Sequence, residues 1–312
     1  MKYVSKELLK KIVCSIPNLP VEYEIELLKH HDSELAFYYV LSNYTNGSFI
    51  MTEWENIVLK NKELYWNYMF ATIPGADVKA HGKVIIDSGD PKFNFLFLSK
   101  EGADKEAHIR EIIKSKDLLY NYSCIRDYDW VNVKDHFLAM IGDSSESKME
   151  FVNFFDEDYK MEVWNIVEPL ILELKDLEFS YLVARDVKWA DVKAHEGIVF
   201  ESGNLEWIYK FARDVEKADR KRLAFPIIIS KSPEFNYLYA RDVPNINIFP
   251  HEKVVLDSRS QEWNIEFAIN VAGANIQAHK RALSDSYINV AEIIDQRLKE
   301  AKVLKKMQNI ST

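Results

Sequence analysis

The chain has 312 residues, 47% of them hydrophobic and 13% aromatic, which is ample material for a large core. A net charge of −9 argues against general affinity for nucleic-acid backbones, and two cysteines without a CxxC, Cys14 and Cys124, support neither a disulfide framework nor a cysteine-rich zinc site. No apolar run reaches the roughly 18 residues of a membrane span, and the charges in "MKYVSKELLKKIVCSIPNLP" lie too close together for the apolar part of a signal peptide, so a folded cytoplasmic protein is expected.

In chain order, residues 1–20 read as an N-terminal cap with a helix over 3–15, residues 18–45 carry a degenerate unit, and Ile50 anchors a weak one. Beyond that point the chain repeats itself. The stretch "IPGADVKAHGKVIIDSGD" (73–90) returns as "ARDVKWADVKAHEGIVFESGN" (184–204). With the polar residue of "AD" as position zero, anchors fall at Asp77, Asp104, Asn132, Asp191, Asp219, Asn247 and Asn275, 27 or 28 residues apart. One gap, of 59 residues between Asn132 and Asp191, holds a weaker unit anchored near Val163 after about three inserted residues in "GDSSESK", so irregularity is expected over 143–163. The repeats extend over 21–287, and 288–312, with "NVAEIIDQRLKEAKVLKKM", read as a C-terminal cap helix. A fixed period of this kind means stacked supersecondary units, none of which buries its apolar face alone.

Each unit predicts two short helices. The anchor Asp or Asn is a good N-cap, and the stripe at anchor +1, +4 and +8, as in Val192, His195 and Val199, is one helix face. A serine follows at anchor +11 (Ser88, Ser115, Ser202, Ser230, Ser258, Ser286), with Gly89 or Gly203 behind it to close the helix. The next cap comes two residues after that serine, and Pro91 and Pro233 stand at the first helical position, where a missing N–H costs nothing. The second helix carries an aromatic at +16 (Trp66, Phe93, Tyr120, Phe179, Trp207, Phe235, Trp263) and apolar residues at +20 and +24, such as Phe211 and Val215.

The expected fold is therefore all-α, a single elongated α-solenoid of about ten two-helix repeats with capping helices at both ends. The phrases "VARDVKWAD", "FARDVEKAD" and "YARDVPNIN" resemble the short bihelical "FARDVxGAD…ESGD" repeats of bacterial and phage proteins without an assigned function. That resemblance covers most of residues 50–290 and implies a fold and a habit of binding partners, without implying a reaction. The likeness to HEAT or TPR arrays is more distant, since the TPR consensus and its 34-residue period are lacking.

Three ladders carry whatever chemistry the chain has. Six histidines, His81, His108, His136, His195, His251 and His279, share anchor +4. Stacked helices lie about 8–10 Å apart, too far for neighbouring rungs to share one zinc, and Trp54, Val167 and Leu223 occupy the same position elsewhere, so packing is the expected role. Asn67, Asn94, Asn121, Asn236 and Asn264 at anchor +17 are expected at the seam between repeats, satisfying buried polar groups. Tyrosine at +18 with arginine four residues later shares one helix face, which makes Tyr122, Arg126, Tyr181, Arg185, Tyr209, Arg213, Tyr237 and Arg241 the candidate partner-binding residues. The competing expectation is that each tyrosine pads the seam and each arginine pairs with a neighbouring aspartate.

No GxGxxG, P-loop, HExxH, GxSxG or CxxC pair occurs, so no catalytic, metal or cofactor residue is assigned and a non-enzymatic interaction protein is expected, a scaffold, adaptor or inhibitor binding a protein partner. The alternatives are a nucleic-acid binder that uses the Tyr/Arg stripe for stacking and phosphate contacts, and a small-ligand-binding or enzymatic repeat protein with a deep polar pocket.

Overall fold

The computed structural model describes residues 5–15, 21–43, 51–142, 144–155, 160–283, 292–297 and 299–300. The anchor Ile50, Ser286 and much of the C-terminal cap helix lie outside the described residues. Among the described residues every regular element is helical and no strand occurs.

Contacts divide the chain into two compact units, Met1–Gly142 and Asp143–Thr312. The first holds α1 (Lys6–Ser15), α2 (Val21–Leu28), α3 (Ser33–Asn43), α4 (Met51–Asn61), α5 (Leu64–Phe70), α6 (Val78–Ser88), α7 (Pro91–Phe97), α8 (Lys105–Ser115), α9 (Leu118–Asp127) and α10 (Val133–Ile141). Its helices pack on their sequence neighbours and on the next helix but one, so α4, α6, α8 and α10 form one layer and α3, α5, α7 and α9 the other. The cap helix α1 closes this stack against α3.

The second unit holds α11 (Ser145–Phe154), α12 (Met161–Leu174), α13 (Leu177–Asp186), α14 (Val192–Glu201), α15 (Leu205–Asp214), α16 (Arg220–Ile229), α17 (Pro233–Asp242), α18 (Phe249–Ser258), α19 (Gln261–Asn270) and α20 (Ile276–Ala282). It is layered in the same way, with α11, α13, α15, α17 and α19 packed in succession. Sequential packing of helix pairs in both units is the α-solenoid arrangement.

The capping pattern explains why the chain folds into such short helices. Asp77, Asp104, Asp191, Asp219 and Asn275 each accept a hydrogen bond from the backbone N–H three residues on, starting the first helix. The anchor +11 serine hydroxyl then donates to the carbonyl three residues back, as Ser88 to Ile85 at 2.6 Å, and accepts from the N–H of the next cap, Asp90, at 3.1 Å. One hydroxyl thus ends one helix and orients the residue that begins the next. Between them the residue at anchor +12 takes the left-handed conformation, whether it is Gly89 (φ 69°), Lys116 (φ 57°), Lys231 (φ 56°) or Arg259 (φ 53°).

Two anchors depart from the expected geometry. Val163 lies inside α12, which begins at Met161 after Lys160, a residue that makes no side-chain cap bond; valine has no acceptor with which to cap. In α18 the cap position passes to Ile248, while Asn247 Oδ1 still accepts from Phe249 N–H at 3.1 Å. The core follows the expected stripes, with Ile85, Ile112, Val199, Ile227 and Val255 at anchor +8 and Phe70, Phe97, Phe211, Tyr239 and Phe267 at +20 all fully buried.

Candidate functional site

The histidine and asparagine ladders are two halves of one contact. In Asn67 the side-chain amide donates to the carbonyls of Val58 (3.2 Å) and Glu63 (2.9 Å). With both amide hydrogens committed, Oδ1 faces the next unit and accepts from His81 Nδ1–H at 2.8 Å. The same geometry joins Asn94 to His108, Asn121 to His136, Asn236 to His251 and Asn264 to His279, at 2.7–2.8 Å. All of these asparagine and histidine side chains are buried. Aromatic rings of the preceding unit cover the imidazoles, Phe97 over His108 at 5.1 Å and Tyr239 over His251 at 4.9 Å between centroids. Burial pushes His108, His136 and His251 down to about 4, and also lowers His279 against the pull of Glu252. Because Nδ1 carries the proton, Nε2 of the neutral His108, His136 and His251 rings is an acceptor.

A third partner in this seam is a glutamate at anchor +5. Glu55, Glu168, Glu196 and Glu252 reach into the following unit and accept from the anchor N–H of Asp77 (2.6 Å), Asp191 (2.7 Å), Asp219 (2.7 Å) and Asn275 (2.5 Å). Where a histidine follows, the carboxylate also lies 3.3–3.5 Å from Nε2 of His81, His195 or His279. No motif singles these glutamates out, and their common register is the signal that identifies them.

Besides the rung at Val167, two others depart from the pattern in informative ways. Ile208 replaces the asparagine and Leu223 the histidine in successive units, so the polar pair is exchanged whole for an apolar one, and both residues are fully buried. At the other, Ser180 stands where asparagine is usual, and neither its hydroxyl nor His195 Nδ1 finds a partner.

The Tyr/Arg stripe occupies the seam on the second-helix side. Tyr122, Tyr181, Tyr209 and Tyr237 are 1–7% exposed. The Tyr181 hydroxyl donates to Asp214 at 2.6 Å, and the Tyr209 hydroxyl donates to Asp242 one unit further on. Arg126, Arg185, Arg213 and Arg241 lie over these rings at 5.0–5.5 Å and form ion pairs with Asp127, Asp186, Asp214 and Asp242. The Arg213 hydrogen bond, opposed by burial and reinforced by the Tyr181 hydroxyl, holds Asp214 below the usual carboxylate range. The tyrosines thus pad the seam and the guanidinium charges are neutralised locally, so the stripe is no uninterrupted basic groove.

What the second unit leaves in solvent is the outer face of its first helices, at anchor +2, +6 and +10. There stand Lys193 on α14, Lys221, Phe225 and Ile229 on α16, and Phe249 and Lys253 on α18, all exposed. Phe225, Ile229 and Phe249 keep 60%, 58% and 68% of their surface in solvent, among the most exposed large apolar side chains of the described residues. The helices α16 and α18 pack directly on each other, which puts the two phenylalanines on adjacent rows.

Among the described residues no cluster of His, Cys, Asp and Glu is arranged to hold a metal ion, and no helix is long and apolar enough to cross a membrane. No protein-family model, curated protein or solved structure matches the chain.

Proposed function

We propose that this chain is a non-enzymatic helical-repeat interaction protein that binds an acidic protein segment along the first-helix face of its second unit. The observation that supports this reading is the set of exposed phenylalanines on neighbouring helices, Phe225 and Phe249, flanked by Lys193, Lys221 and Lys253, which pair with no carboxylate among the described residues. Large apolar side chains grouped on the neighbouring helices of one face mark a contact site, where a single exposed one would not, and aromatic anchors dominate such contacts. The lysines select for negative charge. A protein segment is favoured over nucleic acid because the face offers apolar anchors, Phe225, Ile229 and Phe249, that suit apolar side chains, while Glu201 and Asp257 at its end oppose the unbroken charge of a phosphate backbone. The Tyr/Arg stripe supports the contact from behind, holding the repeats in register.

The test is fluorescence anisotropy with short acidic peptides carrying leucine or phenylalanine, set against single-stranded oligonucleotides of equal charge. Phe225→Ser with Phe249→Ser should weaken peptide binding about tenfold or more, since such anchors each contribute at least about 1 kcal/mol, and should leave the melting temperature nearly unchanged. Binding of the oligonucleotide in preference to every peptide, or peptide binding indifferent to the double substitution, would overturn the reading.

A further inference from the structure

The glutamates of the seam define a seat that some repeats leave unfilled. Anchor +5 carries Glu55, Glu168, Glu196 or Glu252 in four units, each seated against the next anchor N–H, and the apolar Ile109, Phe137 or Ala224 in three others. On α6 the same position is Gly82. A cleft of about 520 Å³ opens there, lined among others by Lys79, Gly82, Lys83, Ala103, Asp104 and His108. The His108 ring is fully buried, its Nδ1 is tied to Asn94, and its Nε2 has no partner. A Cβ placed on Gly82 would lie 3.3 Å from that Nε2 and 3.3 Å from Phe97 Cε1, so the nitrogen and the ring edge border the position the glycine leaves bare. Among the described residues no carboxylate meets the Asp104 N–H, whereas the anchor N–H groups of Asp77, Asp191, Asp219 and Asn275 each receive one.

We propose that this cleft is a carboxylate-binding site, in which a carboxylate from outside the chain takes the seat that glutamate fills in other repeats, bridging His108 Nε2 and the Asp104 N–H with Lys79 and Lys83 at the mouth. A carboxylate is chosen over other anions because the molecule itself places carboxylates in this seat, 3.3 Å from the ring nitrogen at His81 and 3.4 Å at His279. Lys79 makes the mouth attractive to anions, and Lys83 adds to it while paired with Asp87 at 3.5 Å. Asp87 on the same helix and Asp104, whose side chain is engaged in capping Ala107, are the opposing charges.

Binding takes up one proton. Neutral Nε2 and a carboxylate are both acceptors, so a proton must lie between them whichever group holds it. Burial lowers the ring's pKa and Asp104, the N-cap of α8, partly offsets it; Asn94 and Phe97 from α7 are uncharged. One linked proton makes affinity rise about tenfold for each unit of pH lost, so long as pH stays above the free-ring value and below the bound one.

The experiment titrates the full chain with propionate, and separately with a short peptide carrying one glutamate side chain, while following the His108 ring resonances by NMR, with sodium chloride as the control. The expected result is a saturable His108 shift, tighter at lower pH, that His136 does not share because Ile109 occupies its anchor +5 position. Propionate binding alone identifies a free small carboxylate as sufficient, and at least tenfold tighter binding of the peptide identifies an acidic side chain as the preferred source; both support the site. Gly82→Glu should abolish the propionate response by supplying an internal carboxylate. If that variant does not fold, His108→Leu with Asn94→Ile serves instead, since Leu223 and Ile208 form the equivalent pair in the native chain, and propionate binding to it is then read by calorimetry. No saturable His108 shift, an equal shift with chloride, or propionate binding that survives the substitution would each overturn the proposal. The site lies in the first unit and stands independently of the peptide contact assigned to the second.

Discussion

Asn94 and His108 show why a polar pair persists in the middle of an apolar seam. Each hydrogen-bonding group is committed, the amide to two carbonyls and its oxygen to the ring, so burial leaves only Nε2 to be accounted for. Removing one partner alone strands the other at a cost of about 1–3 kcal/mol, whereas replacing both with apolar groups is nearly neutral. The chain has made the paired replacement at Ile208 and Leu223. It has made a half replacement at Ser180 and His195, where Ser180 Oγ and His195 Nδ1 are left without partners. Ser180→Asn should therefore complete the contact and raise unfolding free energy by about 1 kcal/mol, measured by urea denaturation. A loss of stability would mean that the seam at this rung has closed around the smaller side chain.

Helix by helix, the repeat is a chain of caps, and its second helices are joined from unit to unit by tyrosine and aspartate. Arg213 stacks on Tyr209 at 5.0 Å while the Tyr209 hydroxyl reaches Asp242 of the following unit. Truncating a ring that is 7% exposed leaves a cavity as well as a broken hydrogen bond. Tyr209→Ala with Arg213→Ala should thus cost roughly 3 kcal/mol and melt early. Arg213→Ala alone should cost no more than about 1 kcal/mol, because its ion pair with Asp214 is partly in solvent. Thermal melts of the single and double variants separate the two contributions. If the double variant melts like the native chain, the tyrosines are not padding and return to candidacy as a binding surface.

Across the molecule the buried imidazoles set an acid limit. His108, His136 and His251 titrate near 4 when folded and near 6.5 when unfolded. Between these values the unfolded chain binds more protons, so stability is fully present above about 6.5 and is lost as pH falls toward about 4, by roughly 3 kcal/mol for each ring. Much of this window lies above the range in which ordinary carboxylates titrate, so urea midpoints measured from pH about 7 to about 5 isolate the histidines. A flat profile there would show that the rings are protonated without penalty. Replacing the His251 and Asn236 pair with leucine and isoleucine, as at Leu223 and Ile208, should remove one share of the decline.

The sequence alone determined the period, the caps and the two core stripes, because these are local: an aspartate before a helix, a serine eleven residues on and an apolar residue every fourth position act within one unit and leave their mark in it. Burial of the histidine and asparagine ladders was legible for the same reason. What only the tertiary structure decided are the pairings across units. Asn94 meets His108 and Tyr209 meets Asp242 at separations of 14 and 33 residues, distances at which no helical periodicity relates one residue to the other. The fate of the tyrosine face also depended on those contacts, since a ring offset from the core stripe of its own helix is exposed or buried according to what the next repeat lays against it. The Gly82 cleft follows from the same physics: a glycine is silent in a single unit, and is noticed only when other repeats place a glutamate such as Glu55 or Glu196 at its position.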